Sequence, residues 1–191
     1  MDERTGPALL DSDLPDGVLT VRAAEGDEDA FAVLVRRHSR PLLTLAYYML
    51  GSAQDAEDAV QDAFVSAWRR LPDYHHRAEF RTWMYRITVN RCLTMRRRRR
   101  PTFPLDAATE PAADNDWSSP AGAAEQEAAA AALVCALGEL EAGQRLCWIL
   151  RELQGLSYEE IAHVTHSSEP TVRGRLFRAR QLLKEAMASW R

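Results

Sequence analysis

The chain has 191 residues, of which 46% are hydrophobic and 27% charged, and its formal net charge is −4. This composition is typical of globular domains rather than of disordered or fibrous chains, and the length allows one large domain or two small ones. The longest apolar run, residues 128–137, is too short to span a bilayer, and the acidic N-terminus lacks a signal-peptide pattern. We therefore expect a cytoplasmic protein without membrane insertion.

Charge is strongly segregated along the chain. Residues 1–30 hold nine acidic and two basic residues, whereas residues 72–100 hold nine arginines and two acidic residues. Residues 101–127 carry six acidic residues and no base, and residues 170–184 carry five bases and no acidic residue. Because basic surfaces suit phosphate backbones, the pattern predicts two nucleic-acid-binding surfaces separated by an acidic stretch.

The sequence predicts an all-α first domain over residues 17–100, after a disordered acidic tail over residues 1–16. No stretch shows sustained period-two alternation, and alanine is abundant, which favours helices. Pro41 predicts a bend in the second helix, and Ser52 is a plausible N-cap. The four predicted helices span residues 18–24, 28–50, 52–70 and 80–99.

A linker and a second helical domain follow. Residues 101–127 contain five prolines and glycines among Ala, Asp and Ser, which is the composition of a flexible acidic linker. We expect residues 128–191 to form the second domain. The predicted fold class is therefore all-α, with two small helical domains joined by this linker.

The second domain has the pattern of a helix-turn-helix. Ser157 and Glu160 form a predicted capping box that opens a helix over residues 158–164. Residues 165–168 form a turn, and a last, basic helix begins at Glu169. Its predicted core row is Val172, Leu176, Ala179 and Leu183, and its outward row is Arg173, Phe177 and Arg180. This arrangement predicts a recognition helix for the DNA major groove, although an ordinary helical hairpin with solvated arginines has the same pattern.

Two features of the first domain also admit two interpretations. Asp55, Asp58 and Asp62 recur at helical spacing, either as a solvated acidic face or as a docking face for a basic partner. Residues 73–86 interleave aromatic residues with arginine, which suits stacking on unpaired bases but also suits a core; we assign Trp83 and Ile87 to the core. No acidic residue or cysteine lies at the spacing from His75 and His76 that metal ligands require. We therefore predict no metal and no cofactor.

The three cysteines, Cys92, Cys135 and Cys147, raise the alternative of a thiol enzyme or of a redox response. Cysteine is most often a small core residue, and Cys135 and Cys147 are predicted on apolar helix faces. No nucleophile with a base and an orienting group is visible. We therefore predict that the protein is not an enzyme.

The motifs together resemble a known family. Residues 55–68, DAEDAVQDAFVSAW, with residues 80–87, FRTWMYRI, and Asn90 resemble the second conserved region of bacterial extracytoplasmic-function sigma factors. Residues 156–162, LSYEEIA, and residues 171–180, TVRGRLFRAR, resemble the fourth conserved region of the same family. The resemblance implies a factor that binds core RNA polymerase, directs it to promoters and helps to open the DNA.

The resemblance also implies partners and roles for individual residues. The face that binds core polymerase, through its beta-prime and beta subunits, would contain Asp55, Asp58, Gln61 and Asp62. The melted non-template strand of the minus-ten element would be held by Tyr74, His75, His76, Arg77, Arg86, Asn90 and Arg91. The duplex minus-thirty-five element would be contacted by Tyr158, Glu160, Thr171, Arg173, Gly174, Phe177 and Arg178. An anti-sigma factor is a further implied partner, and the holoenzyme would be associated with the nucleoid.

One rival class remains open at this point. A helix-turn-helix repressor or activator that binds duplex DNA by itself would have a similar second domain. Such a protein has no use for the aromatic and arginine segment or for the acidic face. Tight, specific binding of promoter duplex by the chain alone would favour this rival.

Overall fold

The computed structural model describes residues 13–74, 78–98 and 130–188. Every regular element in these ranges is helical, which confirms the all-α fold class. The predicted linker lies outside the described residues, as does the tail up to residue 12. The linker, and the tail as far as residue 12, therefore stay predictions.

The first half contains four helices, and their bounds lie close to those predicted. They are α1 (Asp16–Ala24), α2 (Glu28–Leu50), α3 (Ala53–Arg70) and α4 (Phe80–Arg98), with a short 3-10 turn at Leu71–Asp73. Helix α2 runs through Pro41 as one element and ends at Gly51, whose φ is 73°. The Ser52 hydroxyl accepts from the Asp55 amide, which confirms the predicted N-cap of α3.

The core of this half lies where α2, α3 and α4 pack together. The buried stripe of α3 consists of Ala56, Val60, Ala63, Phe64 and Ala67. On α4, Phe80 and Tyr85 are fully buried, whereas Trp83 and Ile87, which we assigned to the core, are only partly buried against it.

The predicted tail over residues 1–16 extends too far. Helix α1 already begins at Asp16. The Asp16 carboxylate binds two side chains of α2. Its oxygens lie 2.7 Å from an Arg37 guanidinium nitrogen and 2.6 Å from His38 Nε2. Sequence reasoning missed this because the partners lie more than 20 positions along the chain.

The second half is built on the predicted helix-turn-helix. Residues 130–138 form α5, Ala142–Trp148 form α6 with a π-helical turn at Ile149–Leu153, and α7 (Tyr158–Thr165) and α8 (Glu169–Ala188) complete it. The capping box between Ser157 and Glu160 is confirmed. The core row of α8, from Val172 to Leu183, is buried as predicted.

A buried arginine fixes the end of α5. Arg145 donates to the backbone oxygens of Leu137 at 2.6 Å, Gly138 at 2.5 Å and Leu140 at 3.3 Å. Burial lowers the pKa of Arg145 from its ordinary value, but a guanidinium stays charged at neutral pH. The last carbonyls of a helix have no hydrogen-bond donor within the helix. The guanidinium of Arg145 supplies these donors at the end of α5.

Replacing Arg145 by methionine keeps most of the apolar stem and removes these donors. We expect the Arg145→Met variant to lose about 1–2 kcal/mol of unfolding free energy, because buried carbonyls lose their partners. Urea unfolding followed by circular dichroism measures the change, with Lys184→Met on exposed α8 surface as the control. Equal midpoints for both variants would contradict the capping role.

Candidate functional site

The acidic face of α3 is smaller than the sequence predicted. Asp58 and Gln61 are exposed, and the Asp62 side chain keeps 47% of its surface accessible. Asp55 is only 8% exposed, so its assignment to an exposed docking face is wrong. Asp55 lies one turn before the fully buried Ala59, at the edge of the face that packs on the neighbouring helices, and this packing buries it.

An apolar groove borders this acidic face, and sequence reasoning missed it. It has a volume of about 670 Å³ between α2 and α3, with Glu28 and Glu57 at its edge. Its aromatic and aliphatic lining includes Phe31, Val35, Val60, Phe64, Val65 and Trp68. Val65 is an exposed apolar residue on the otherwise polar outer face of α3. It is the sequence signal that could have indicated the groove. The groove and the acidic residues form one surface with apolar and negative parts.

The resemblance makes residues 75–77 a predicted base-capture loop, and aromatic side chains pack together on both sides of it in the sequence. The Tyr74 ring lies 4.7 Å from that of Trp83, and the Trp83 ring lies 5.9 Å from that of Phe80, between ring centres. The Tyr74 hydroxyl donates to the backbone oxygen of Ala78 and so ties together the two ends of the loop. His75, His76 and Arg77 lie outside the described residues.

A small cavity lies beside this loop. It has a volume of about 370 Å³, and Asp16 and Thr20 of α1 line it together with Tyr74, Glu79 and Arg81. Sequence reasoning missed the contribution of α1, since nothing in residues 16–20 indicates that they approach residues 74–81. The chain therefore brings a concave surface to the predicted minus-ten side.

The other predicted minus-ten residues follow one side of α4. Asn90 is exposed and Arg86 is half-buried, and the spacing of four residues places both on one face. Arg91 forms an ion pair with Asp62. This pair joins a residue assigned to DNA with a residue assigned to polymerase docking, which the sequence did not predict.

The outer face of α8 presents most of the predicted minus-thirty-five residues. Thr171, Arg173, Phe177 and Arg178 are exposed, and Phe177 keeps 64% of its surface accessible. Gly174 lies half-buried between them. An exposed phenylalanine beside two arginines is a composition that suits base edges and phosphates.

Two other bases of α8 are engaged within the fold. Arg180, predicted on the outward row, donates to Glu152 Oε1 at 2.7 Å and 3.1 Å, and this hydrogen bonding raises its pKa. Arg175 donates to Ser167 Oγ at 2.9 Å. These contacts fix α8 against the preceding elements and leave the segment around Arg173 and Phe177 for a ligand.

The two predicted residues on α7 have internal partners. The Arg151 guanidinium lies 5.2 Å from the centre of the Tyr158 ring. Glu160 Oε2 accepts from the Ser157 amide at 2.7 Å, and its Oε1 accepts from Arg81 at 3.2 Å. Burial alone would raise the pKa of Glu160, but the hydrogen bonds from Ser157 and Arg81 lower it below the ordinary value.

The described residues show little of what the thiol-enzyme alternative needs. Cys92 and Cys147 are buried, and burial raises the pKa of Cys92 to about 12 and that of Cys147 above its ordinary value. Both are therefore protonated at neutral pH and poor nucleophiles. Cys135 is exposed, so its predicted place on an apolar face is wrong.

The described ranges contain neither a cluster suited to a metal ion nor a helix suited to crossing a bilayer. Within residues 13–74, 78–98 and 130–188, no group of three His, Cys, Asp or Glu side chains has metal-site geometry. None of the helices in these ranges has both the length and the apolar character needed to cross a bilayer.

Two family models match the chain. Sigma-70 region 2 matches residues 34–102, and Sigma-70, region 4 matches residues 130–183. The ECF RNA polymerase sigma-E factor of Escherichia coli is 35% identical over 182 residues, covering 91% of this chain and 95% of that protein. The RNA polymerase sigma-H factor of Pseudomonas aeruginosa is 34% identical over 180 residues, covering 90% and 93%.

Two solved structures are also similar. CnrH in complex with the cytosolic domain of CnrY superimposes with a TM-score of 0.72 at 31% identity, covering 91% of this chain and 97% of that one. The sigma factor RpoE in complex with the anti-sigma factor NepR, from Bartonella quintana, gives a TM-score of 0.67 at 24% identity, covering 84% and 98%. At that identity the second similarity shows the fold alone.

Proposed function

The chain belongs to the extracytoplasmic-function group of the sigma-70 family, and we propose that, as an alternative sigma factor, it engages core RNA polymerase and two promoter elements through three separate surfaces. The observation that carries this proposal is the exposed row on α8, Thr171, Arg173, Phe177 and Arg178, on the second helix of a capped helix-turn-helix. In this proposal the same chain also captures a base through the segment that follows Tyr74 and docks on the polymerase through the acidic face of α3.

The α8 row is suited to reading duplex DNA. Arginine in the major groove donates to guanine O6 and N7, and an apolar ring contacts the methyl group of thymine. Arg173 and Phe177 lie four residues apart on the same face, so both reach one groove. Thr171, Arg178, Tyr158 and Glu160 would lie toward the backbone, and Gly174 lets the helix approach closely.

The minus-ten element is bound as unpaired DNA in this proposal. Unpairing and unstacking a base costs a few kcal/mol, which a stacking site partly offsets. Tyr74, whose ring packs on Trp83, directly precedes His75, His76 and Arg77 in the chain, and these three residues would make this contact. Arg86, Asn90 and Arg91 would then follow the strand along α4.

Polymerase docking uses Asp58, Gln61 and Asp62 in this proposal. Exposed carboxylates next to an apolar groove match a partner surface that carries basic residues around an apolar ridge. A chain with a net charge of −4 also binds DNA weakly by itself. Promoter recognition therefore depends on the polymerase, in the cytoplasm and at the nucleoid.

Regulation by an anti-sigma factor is the remaining part of the proposal. The similar structures named CnrH and RpoE are each bound to a second protein, and RpoE is bound to an anti-sigma factor. A comparable partner of this chain would have to cover surfaces that polymerase or DNA requires.

Reconstituted transcription tests the proposal. Core RNA polymerase, the purified chain and genomic fragments of its host are mixed, and transcript starts are mapped. Discrete starts that share two spaced upstream elements are expected. Failure of the chain to bind core polymerase, together with tight binding to duplex DNA alone, would favour a stand-alone regulator.

Tyr74→Phe tests the loop. The substitution keeps the ring on Trp83 and removes the hydroxyl that donates to Ala78. We expect promoter melting to fall about two- to tenfold, the range for one hydrogen bond, with core binding unchanged. Permanganate reactivity of unpaired thymines measures melting, and Tyr48→Phe is the control. Undiminished melting would contradict this role of the hydroxyl.

A further inference from the structure

The cavity between the start of α1 and the start of α4 has no part in the function proposed so far. Its volume of about 370 Å³ lies at the small end of the range for small-molecule sites, which is room for a single nucleobase. Asp16, Gly17 and Thr20 line one wall, and Tyr74 with residues 78–81 lines the other. Of these residues, the resemblance assigned only Tyr74 to DNA. We call this space the α1 cavity.

Two carboxylates face the α1 cavity. Asp16 is bound to Arg37 and His38, whereas the exposed Glu79 carboxylate forms no ion pair with any residue that the structure describes. Burial raises the pKa of Tyr74, and the nearby negative charges of Glu79 and Asp16 raise it further. Both carboxylates therefore lie close to the same ring, and Glu79 has acceptor oxygens available for a ligand.

Arg81 brings a hydrogen-bond donor to the same cavity. Another nitrogen of its guanidinium lies 3.2 Å from Glu160 Oε1, but Arg81 Nε is buried without a hydrogen-bond partner within the described residues. A buried donor without a partner costs free energy. A ring nitrogen or a carbonyl oxygen of a bound base would provide the missing acceptor.

The charge of the α1 cavity determines which part of a DNA strand can enter it. Carboxylates repel phosphate, so the cavity does not suit the backbone. They do accept hydrogen bonds from amino groups, as Asp and Glu accept from N4 of cytosine. Adenine, cytosine and guanine carry an exocyclic amine, whereas thymine carries only carbonyl oxygens and a methyl group outside its ring. The cavity therefore favours an amino-bearing base over thymine.

The α1 cavity also lies within reach of the strand proposed to follow α4. Arg81 and Asn90 are on the same helix, and the nine-residue separation corresponds to about 14 Å along its axis. At about 3.4 Å for each nucleotide of a strand, this length corresponds to about four nucleotides. A strand that passes Asn90 and the predicted base-capture loop can therefore bring a further base to the cavity.

We propose that the α1 cavity is a second base site, which binds an unpaired amino-bearing base of the non-template strand and rejects thymine. Glu79 accepts from the amine, and Arg81 Nε donates to the same base. The inference rests on the proposed function, because it requires a melted promoter strand. It adds α1 to the DNA-binding surface and makes Glu79 a specificity-determining residue.

Filling the cavity from α1 tests the proposal without altering the loop. A Cβ atom at Gly17 would meet no other atom within 4 Å, so Gly17→Leu can place a side chain at the cavity without strain. Leucine also favours helix more than glycine does, and thermal unfolding should show a midpoint at least as high as that of the unaltered chain. Val18→Leu, at an exposed position outside the cavity lining, is the matched control.

The readout is the base preference of reconstituted holoenzyme at each non-template position of a premelted promoter. Competition binding compares the four bases at every position near −10. With the unaltered chain, thymine should bind about five- to 100-fold more weakly than an amino-bearing base at the position that enters the cavity. Gly17→Leu should remove this preference at that one position, and Val18→Leu should keep it.

Glu79→Gln assigns the preference to the carboxylate. The glutamine amide still accepts from an amine, but it can also donate to O4 of thymine. The discrimination against thymine should therefore fall at least about fivefold at the same position that Gly17→Leu affects. Core binding and the preferences at the other positions should stay unchanged in both variants.

Each outcome decides the proposal. Base preferences that stay unchanged in Gly17→Leu and in Glu79→Gln would overturn it. Equal losses at all positions in Gly17→Leu would also overturn it, because the cavity would then act only through the fold. Absence of core binding by the unaltered chain would contradict the proposed function itself, and the inference would be overturned with it.

Discussion

Core RNA polymerase is expected to bind the Asp58→Arg variant about 100-fold more weakly than the unaltered chain. Asp58 is exposed on α3, close to Gln61 and the apolar groove. An arginine there faces the basic residues of the proposed partner, and like charges brought together at an interface cost several kcal/mol. Affinity measured by fluorescence anisotropy of the labelled chain gives the change directly.

The control for this variant is Glu25→Arg, which makes the same change in net charge at an exposed position after α1. It should leave the affinity for core polymerase within about twofold, because surface charges far from an interface contribute little. Equal affinities for Asp58→Arg and the unaltered chain would remove α3 from the docking surface. Equal losses for both variants would mean that net charge alone determines binding.

Arg173→Ala is expected to weaken promoter binding by the holoenzyme by about 1–3 kcal/mol and to relax sequence preference at one position of the upstream element. This is the effect of removing an arginine that donates two hydrogen bonds to a guanine. The side chain is exposed on α8, so its loss leaves the core row intact. Competition binding against a set of single-base promoter variants measures both effects.

The matched control for Arg173 is Arg180→Ala on the same helix. Arg180 is bound to Glu152, and its replacement should leave the sequence preference unchanged. An equal loss for Arg173→Ala on every promoter variant would assign Arg173 to phosphate rather than to a base. A preference that changes in Arg180→Ala would place the reading face elsewhere on α8.

Local sequence signals predicted most of the fold. The N-cap at Ser52, the capping box at Ser157 and Glu160 and the core row of α8 depend on residues within about one or a few helical turns of each other. Such signals are readable from spacing alone. For that reason the predicted helix bounds and the predicted core row of α8 agree with the structure.

Features that depend on distant parts of the chain were not predictable. Asp55 was assigned to an exposed face because its neighbours three and seven residues on are acidic, yet packing buries it. The Asp16 contacts with α2, the Asp62–Arg91 pair and the Arg81–Glu160 pair join residues about 20 to 80 positions apart. Periodicity carries no information about which helices meet or which charges pair.

The sequence indicated which segments form the candidate site, but it indicated only part of the geometry of that site. The resemblance of residues 55–68 and 171–180 to sigma-factor regions indicated which segments matter. The structure adds the apolar groove and the cavity beside Tyr74, to which α2 and α1 contribute. It also shows that Arg91 and Glu160 have partners within the chain, so the DNA contacts proposed for them would require both residues to exchange partners.

The central claim is that the two halves of one chain read two separate promoter elements when bound to polymerase. Photo-crosslinking residues introduced at Phe177 and at Asn90, each in reconstituted holoenzyme on a mapped promoter, test it most directly. Position 177 should crosslink to upstream duplex near −35, and position 90 to the non-template strand near −10. Crosslinks from both positions to the same element, or the same pattern without polymerase, would contradict the account.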